Sequence, residues 1–289
     1  MSHAGHNHHS SLNAAFWLTA AFAVVELVGG LMANSLALLA DAGHMVSDVA
    51  ALGLAMLANR IASRPAHARM SYGYGRAKVL AAQLSGFMLW VLSAWIIWEA
   101  IDRLSNPPEV QGGMVMLIAA VGLMINLIIM RWLHGSHDLN TRAAYWHVLG
   151  DALGSVAAII AGGVILLTGW MPIDPLLSFL VAGILVWGGW RLLRETTLEL
   201  MEALPQEIDF TRIEQAMNDI DGVVNVHHIH LWRLPSTQLA VSAHVQIEHM
   251  SHWPNVLQAL RESLQQHQID HITLQPEFRC DDDSQQHCH

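Results

Sequence analysis

Charged side chains are scarce in this sequence. Of its 289 residues only 13% are Asp, Glu, Lys or Arg, whereas 53% are hydrophobic, and the mean hydropathy is +0.34. Soluble domains of ordinary composition carry about 25% charged residues. The deficit therefore excludes a purely soluble globular protein and favours a chain that lies largely in a lipid bilayer.

Basic residues and cysteines are also few. Fourteen Lys and Arg against 24 Asp and Glu give a net charge of −10, so the basic surface that nucleic-acid binding requires is missing and no nucleic-acid partner is expected. The two cysteines, Cys280 and Cys288, lie near the carboxyl terminus, where they cannot cross-link a core. In contrast, the chain has 19 histidines, more than Lys and Arg together. Because histidine is the commonest protein metal ligand, this excess points to metal or proton chemistry.

Six apolar runs have about the 20 residues that cross the hydrocarbon core of a bilayer. They lie near residues 13–33, 36–59, 80–103, 112–133, 143–168 and 175–193. The first run follows a His-rich stretch without Lys or Arg, so it is not a signal peptide and should be retained. We therefore predict a His-rich tail over residues 1–12 and a transmembrane domain of six helices over residues 13–204.

The basic residues of this half mark one side of the membrane. Nine of them lie in one of three places: between runs two and three, between runs four and five, or at the end of run six. These three places are on the same side of the membrane, and only Arg103 lies on the opposite side. The nine are Arg60, Arg64, Arg69, Arg76, Lys78, Arg131, Arg142, Arg191 and Arg194. The positive-inside rule makes their side cytoplasmic. Both termini are then cytoplasmic, as an even number of spans requires.

Residues 205–279 have the composition of a soluble domain. Apolar residues at helical spacing follow Asp209, and a second helix is predicted over 253–267, with Pro254 in its first turn. Three strands are predicted over 223–232, 239–247 and 271–278. The order αββαβ indicates an α+β, ferredoxin-like domain with its helices on one face of a sheet. We expect residues 280–289, which contain Cys, His and Asp, to form a flexible tail.

Ionisable side chains inside the apolar runs are costly, which makes each one a functional candidate. They are Glu26, Asp41, His44, Asp48, Glu99, His147 and Asp151. His44 and Asp48 lie four residues apart, as do His147 and Asp151, so each pair shares one helix face. Two nitrogens and two oxygens from facing helices would form a tetrahedral Zn²⁺ site, whereas Mg²⁺ or Ca²⁺ would prefer oxygen ligands alone. Alternatively, the helices do not face each other and the pairs form ordinary interhelical hydrogen bonds.

At these residues the chain resembles the cation diffusion facilitator family, and more narrowly its zinc-transporting branch. The resemblance rests on the stretch from Ser35 to Asp48, SLALLADAGHMVSD, on the second HxxxD at His147 and Asp151, and on six spans followed by an αββαβ domain. It implies a homodimer in the plasma membrane, which in bacteria is the inner membrane. It further implies a secondary active transporter, not an enzyme, that exports cytoplasmic Zn²⁺ in exchange for protons through a site formed by these two pairs.

The resemblance also implies a cytoplasmic zinc site. His227, His244 and Glu277 match positions at which cytoplasmic domains of this family bind zinc, and His249 or His252 could complete the set. The alternative is a hydrated, His-rich strand edge without metal.

Two neighbouring segments refine this expectation. Strand alternation predicts that His228 and His230 lie on one face and His227 on the other. In the loop between spans two and three, Met70 and Tyr74 stand where many members of the family have histidines. We therefore predict that this loop does not bind metal.

Two other functions compete with transport. A membrane-bound metal sensor would use the cytoplasmic domain, but sensing alone would not require ligands at bilayer depth. A membrane metalloprotease would require a motif such as HExxH, which is absent from the sequence. The intramembrane His/Asp pairs therefore favour transport.

Overall fold

The structure is a computed structural model that describes residues 5–133, 139–204, 208–234 and 238–278. Within helices, the side chains of residues 5–16, 133 and 139–147 are outside this description, and so is the predicted tail over 280–289. The chain divides into two compact units. One comprises the residues up to 56 and Ala81–Leu193, and the other comprises Leu57–Leu80 and the residues from 194 onward.

Six long helices correspond to the six predicted spans. They are α1 (Gly5–Ala33), α2 (Leu36–Ala62), α3 (Ala77–Ser105), α4 (Gly112–Leu133), α5 (Leu139–Thr168) and α6 (Ile173–Leu200). All except α4 extend beyond the predicted limits. The length of an apolar run reflects only the thickness of the hydrocarbon core, whereas the helix itself can continue beyond that core into water. Within the described residues, five helices are long and apolar enough to cross a membrane, and the apolar part of α1, Trp17–Ala33, is shorter.

The start of α1 lies inside the predicted amino-terminal tail. The helix begins at Gly5, not near residue 13. No proline or glycine follows in the next 20 residues. Once a helix has formed, each further residue adds a hydrogen bond at little cost, so a segment of this composition can extend it.

The membrane helices expose apolar side chains and approach one another through small residues. Trp98 is 76% exposed, Trp187 71% and Leu167 85%, which suits contact with lipid. Helices α4 and α5 pack closely where Gly112 meets Gly162. A Cβ atom on Gly162 would lie 2.7 Å from the Gly112 carbonyl oxygen, so this backbone approach depends on glycine.

Helix α2 contributes to two apolar clusters. Leu38 and Met45 pack with residues of α1, α4 and α5, including Ile165. Ala40 packs with residues of α3 and α6, including Ile96. The amino-terminal part of the helix that carries the first His/Asp pair is therefore packed inside this unit.

The remaining elements form an α+β domain, so the predicted class of a helical membrane domain followed by αββαβ is confirmed. Its elements are α7 (Phe210–Asn218), β1 (Val223–Arg233), β2 (Leu239–Ile247), α8 (Trp253–Gln266) and β3 (Ile269–Phe278), with a short 3₁₀ helix at Met250–His252. The sheet order is β1-β2-β3. Strands β1 and β2 are antiparallel, whereas β2 and β3 are parallel.

Both helices of this domain pack on the same face of the sheet. Ile213 and Met217 of α7 and Leu260 of α8 share a buried core with Val241 and Val245 of β2. Asp209 caps α7, since its carboxylate accepts hydrogen bonds from the backbone N–H groups of Thr211 and Arg212. The residues between the buried ones on β2, including His244, therefore lie on the opposite face of the sheet.

Candidate metal centres

The first predicted pair lies on one face of α2. His44 Nε2 and Asp48 Oδ2 are 3.7 Å apart. This separation follows from the four-residue spacing on a helix. An imidazole nitrogen and a carboxylate oxygen are thus presented side by side, as a pair of zinc ligands requires.

The second predicted pair lies on α5. The side chain of Asp151 is buried, and its backbone carbonyl accepts a hydrogen bond from the Ser155 hydroxyl at 3.0 Å. His147 belongs to the same helix, but its side chain is outside the described residues. Both α2 and α5 contribute to one apolar cluster, so the two helices that carry the predicted ligands share part of the core.

A buried carboxyl group on α1 accompanies these ligands. Glu26 is 1% exposed, and its carboxyl group lies close to those of Asp41 and Asp151. Two further carboxyl groups, on α1 and α2, therefore accompany the predicted metal ligands.

The amino terminus of α2 is fixed by a carboxylate from α6. Asp174 accepts hydrogen bonds from the Ser35 hydroxyl at 2.5 Å, from Leu36 N at 2.7 Å and from Ala37 N at 3.3 Å. No sequence motif marks Asp174 as a functional residue. Its position at the start of a helix after Pro172 is common in proteins, and its partners lie almost 140 residues away in the sequence.

In the second unit, three predicted ligands converge on the open face of the sheet. The carboxylate of Glu277 contacts His227 Nε2 at 3.1 Å and His244 Nδ1 at 2.6 Å. Ligand atoms of these three residues lie within 4.8 Å of one another. His227 and His244 are directly paired across β1 and β2, which explains why their side chains share a face.

The predicted alternation along β1 is wrong at His228 and His230. The pairing passes from His227 with His244 to His230 with Ser242, so β1 contains one extra residue at a bulge. His230 therefore shares the face of His227, and the ring of His228 lies 5.2 Å from that of His227.

The physical reason for the bulge is burial. Val226 and Leu231 are both buried, but they are five residues apart, and strict alternation would place them on opposite faces. One inserted residue puts both side chains in the core. The odd spacing of two apolar residues was the signal in the sequence that could have indicated this bulge.

The other candidates do not join the three converging ligands. His249 and His252 form a separate pair with ring centroids 5.7 Å apart. Within the described residues, the only group of three or more potential ligands with this close spacing is His227, His244 and Glu277.

In the loop between α2 and α3, both nitrogens of His67 are engaged. Its Nδ1 accepts a hydrogen bond from Arg69 N at 3.2 Å. Its Nε2 is 2.8 Å from the hydroxyl of Tyr74. His67 therefore has a structural role in this loop.

Two family profiles together match most of the chain. The profile described as the cation efflux transmembrane domain matches residues 12–201, and that of the cation efflux protein cytoplasmic domain matches residues 205–278. The chain belongs to the cation efflux family. With the long apolar helices, membership makes it a multi-pass integral membrane protein of this family.

Relatives of this cation efflux protein match it over almost their whole length. Zinc transporter ZitB of Pectobacterium atrosepticum is 43% identical, with 99% of this chain and 90% of the relative covered. Zinc transporter ZitB of Escherichia coli is 44% identical, with 92% and 86% covered. The cadmium, cobalt and zinc/H⁺-K⁺ antiporter of Bacillus subtilis is 36% identical, with 94% and 92% covered.

A solved structure matches only part of the chain. It is the metal-bound C-terminal domain of the CzcD transporter from Cupriavidus metallidurans, which is 28% identical to this chain with a TM-score of 0.23. The match spans 99% of that domain but only 24% of this chain.

Proposed function

We propose that this protein exports Zn²⁺ from the cytoplasm in exchange for protons. The observation that carries the proposal is the set of two HxxxD pairs in apolar helices, His44 with Asp48 and His147 with Asp151. Two histidines and two aspartates are a ligand set suited to tetrahedral zinc. The names of relatives that are 41–44% identical, zinc transporters, support the same substrate.

Proton exchange follows from the chemistry of these ligands. Histidine binds metal only when its nitrogen is unprotonated, so a proton and Zn²⁺ compete for the same atoms. Glu26 and Asp41, whose carboxyl groups lie close to Asp151, add further groups that can exchange protons. The name of the Bacillus subtilis relative, an antiporter of metal against H⁺ and K⁺, supports coupled exchange. According to this proposal, the protein is a secondary transporter and not an enzyme.

The test is Zn²⁺ uptake into proteoliposomes under an imposed pH gradient. Asp48→Asn and Asp151→Asn remove one charged ligand each without changing side-chain size, and we expect both to abolish uptake. Asp102→Asn is the matched control, because Asp102 is an exposed carboxylate at the end of α3. The proposal would be refuted if uptake survives either ligand substitution. It would also be refuted if uptake is unchanged when a protonophore collapses the pH gradient.

We also propose that both termini are cytoplasmic and that the membrane is the inner membrane of a bacterium. The distribution of basic residues supports this orientation. The chain offers its own probe, since Cys280 and Cys288 are its only cysteines. A membrane-impermeant maleimide should label them in inverted vesicles but not in intact spheroplasts, and labelling of spheroplasts would reverse the orientation. A variant with both cysteines changed to serine is the control.

The protein is further proposed to act as a homodimer whose cytoplasmic domain binds Zn²⁺ at His227, His244 and Glu277. The match to the cytoplasmic domain profile of the family and the convergence of these three side chains support this assignment. Native mass spectrometry from nanodiscs should give twice the chain mass. A monomer at all concentrations would contradict the dimer.

A further inference from the structure

The number of protein ligands decides what kind of zinc site the cytoplasmic domain holds. His227, His244 and Glu277 supply three. Structural zinc sites in proteins are closed by four protein ligands, whereas sites with three keep a position open to water or another molecule. The residue that could occupy the fourth position therefore determines whether the ion is retained.

His228 is placed next to this cluster by the bulge in β1. Its backbone is in the left-handed region, with φ of 50°, a conformation that non-glycine residues adopt rarely and that histidine adopts more often than most. Strained backbone of this kind occurs preferentially at functional sites. Without the bulge, His228 would point to the helix-covered face of the sheet together with Val226.

The ring of His228 lies against both histidine ligands. Its centroid is 5.2 Å from that of His227 and 5.2 Å from that of His244, on which it stacks at 22°. It does not belong to the group whose ligand atoms lie within 4.8 Å of one another. The side chain is exposed, so the ring can turn about its own torsion angles without displacing core residues.

We propose that His228 turns toward the ion held by His227, His244 and Glu277 and becomes its fourth protein ligand. The proposal rests on the zinc binding proposed above for this domain. Three imidazoles and one carboxylate make a closed tetrahedral site. Such a site suits an ion that remains bound while the transport site turns over.

The experiment uses the full-length protein in detergent micelles, with Asp48→Asn and Asp151→Asn present to disable the proposed transport site. His228→Asn is the test variant, because asparagine tolerates positive φ and preserves the bulge while removing the imidazole. His230→Asn is the matched control. It lies two residues further along β1 on the same face, and it borders a cleft with Tyr72 instead of the three ligands.

Two measurements report on the ligands directly. Four-coordinate Co²⁺ absorbs visible light far more strongly than six-coordinate Co²⁺, so the parent should show an intense band that falls several-fold in His228→Asn. X-ray absorption at the zinc edge should count one imidazole fewer in that variant. The affinity for Zn²⁺ should fall by more than about tenfold. Loss of a residue that only supports a ligand already lowers metal affinity by about tenfold or more, and loss of a ligand should cost at least as much.

Unchanged spectra and affinity in His228→Asn would overturn the proposal and assign the fourth position to water or to the partner subunit. A loss of affinity with an unchanged imidazole count would also overturn it, since His228 would then only support the other ligands. If the parent binds no Co²⁺ in this domain, both this proposal and the cytoplasmic site fail. Zinc transport is judged separately by uptake into proteoliposomes, so the two failures are distinguishable.

Discussion

The carboxylate of Asp174 at the start of α6 accepts a hydrogen bond of 2.5 Å from the hydroxyl of Ser35, which precedes α2. The same carboxylate accepts hydrogen bonds from two of the first backbone N–H groups of α2. These groups have no partner within their own helix. Asp174 therefore caps α2 from another helix and fixes the helix that carries His44 and Asp48.

Asp174→Ala should destabilise the protein. The substitution leaves three buried donors without their acceptor, and each unsatisfied buried group costs about 1–3 kcal/mol. Thermal unfolding in micelles should begin at a clearly lower temperature, and Ser35→Ala should lower it less because Leu36 and Ala37 keep their partner. Asp102→Ala, an exposed carboxylate on α3, is the control. A wild-type melting curve for Asp174→Ala would show that the cap does not contribute.

Gly162→Ala should weaken the contact of α4 with α5. The added Cβ would lie 2.7 Å from the Gly112 carbonyl oxygen and 2.7 Å from Met116 Cγ, and forced overpacking of this kind costs about 1–3 kcal/mol. Gly154→Ala on the same helix is the matched control, since its Cβ would meet nothing within 4 Å. It should be neutral or stabilising by up to about 1 kcal/mol through helix propensity. Thermal unfolding of both variants checks the prediction, which fails if they melt alike.

Glu277→Gln should weaken Zn²⁺ binding to the cytoplasmic domain. Each oxygen of Glu277 contacts one histidine, at 3.1 and 2.6 Å, and a neutral amide is a much poorer zinc ligand. We expect the dissociation constant measured by calorimetry, with the transport site disabled, to rise by more than about tenfold. Glu248→Gln, an exposed glutamate just after β2, should leave it unchanged. Equal affinities of the two variants for Zn²⁺ would show that Glu277 is not a ligand of this site.

His44→Asp should broaden selectivity toward Cd²⁺. The substitution replaces an imidazole, which suits Zn²⁺, with a carboxylate on the same face of α2 as Asp48. The ratio of Cd²⁺ to Zn²⁺ uptake in proteoliposomes should rise, while Zn²⁺ uptake continues and shows that the variant is folded. An unchanged ratio would place the selectivity of transport at other residues.

Much of the architecture was predictable because it depends on local patterns. Apolar runs of membrane length predicted the six long helices. They did not predict where the helices end, because helix ends outside the hydrocarbon core need not be apolar. In the cytoplasmic domain, the alternation of Val241, Ala243, Val245 and Ile247 predicted strand β2. The convergence of His244 with Glu277 additionally depended on β3 pairing with β2, which no local pattern contains.

The sequence by itself determined the composition of both candidate sites. It placed His44 with Asp48 and His147 with Asp151 one helical turn apart, because α-helical geometry is local. Tertiary structure alone decided the cap that Asp174 provides to α2, the burial of Glu26 beside Asp41, and the position of His228 against His227 and His244. Each of these depends on packing between distant segments, and the bulge at His228 arises because Val226 and Leu231 must both reach the same core.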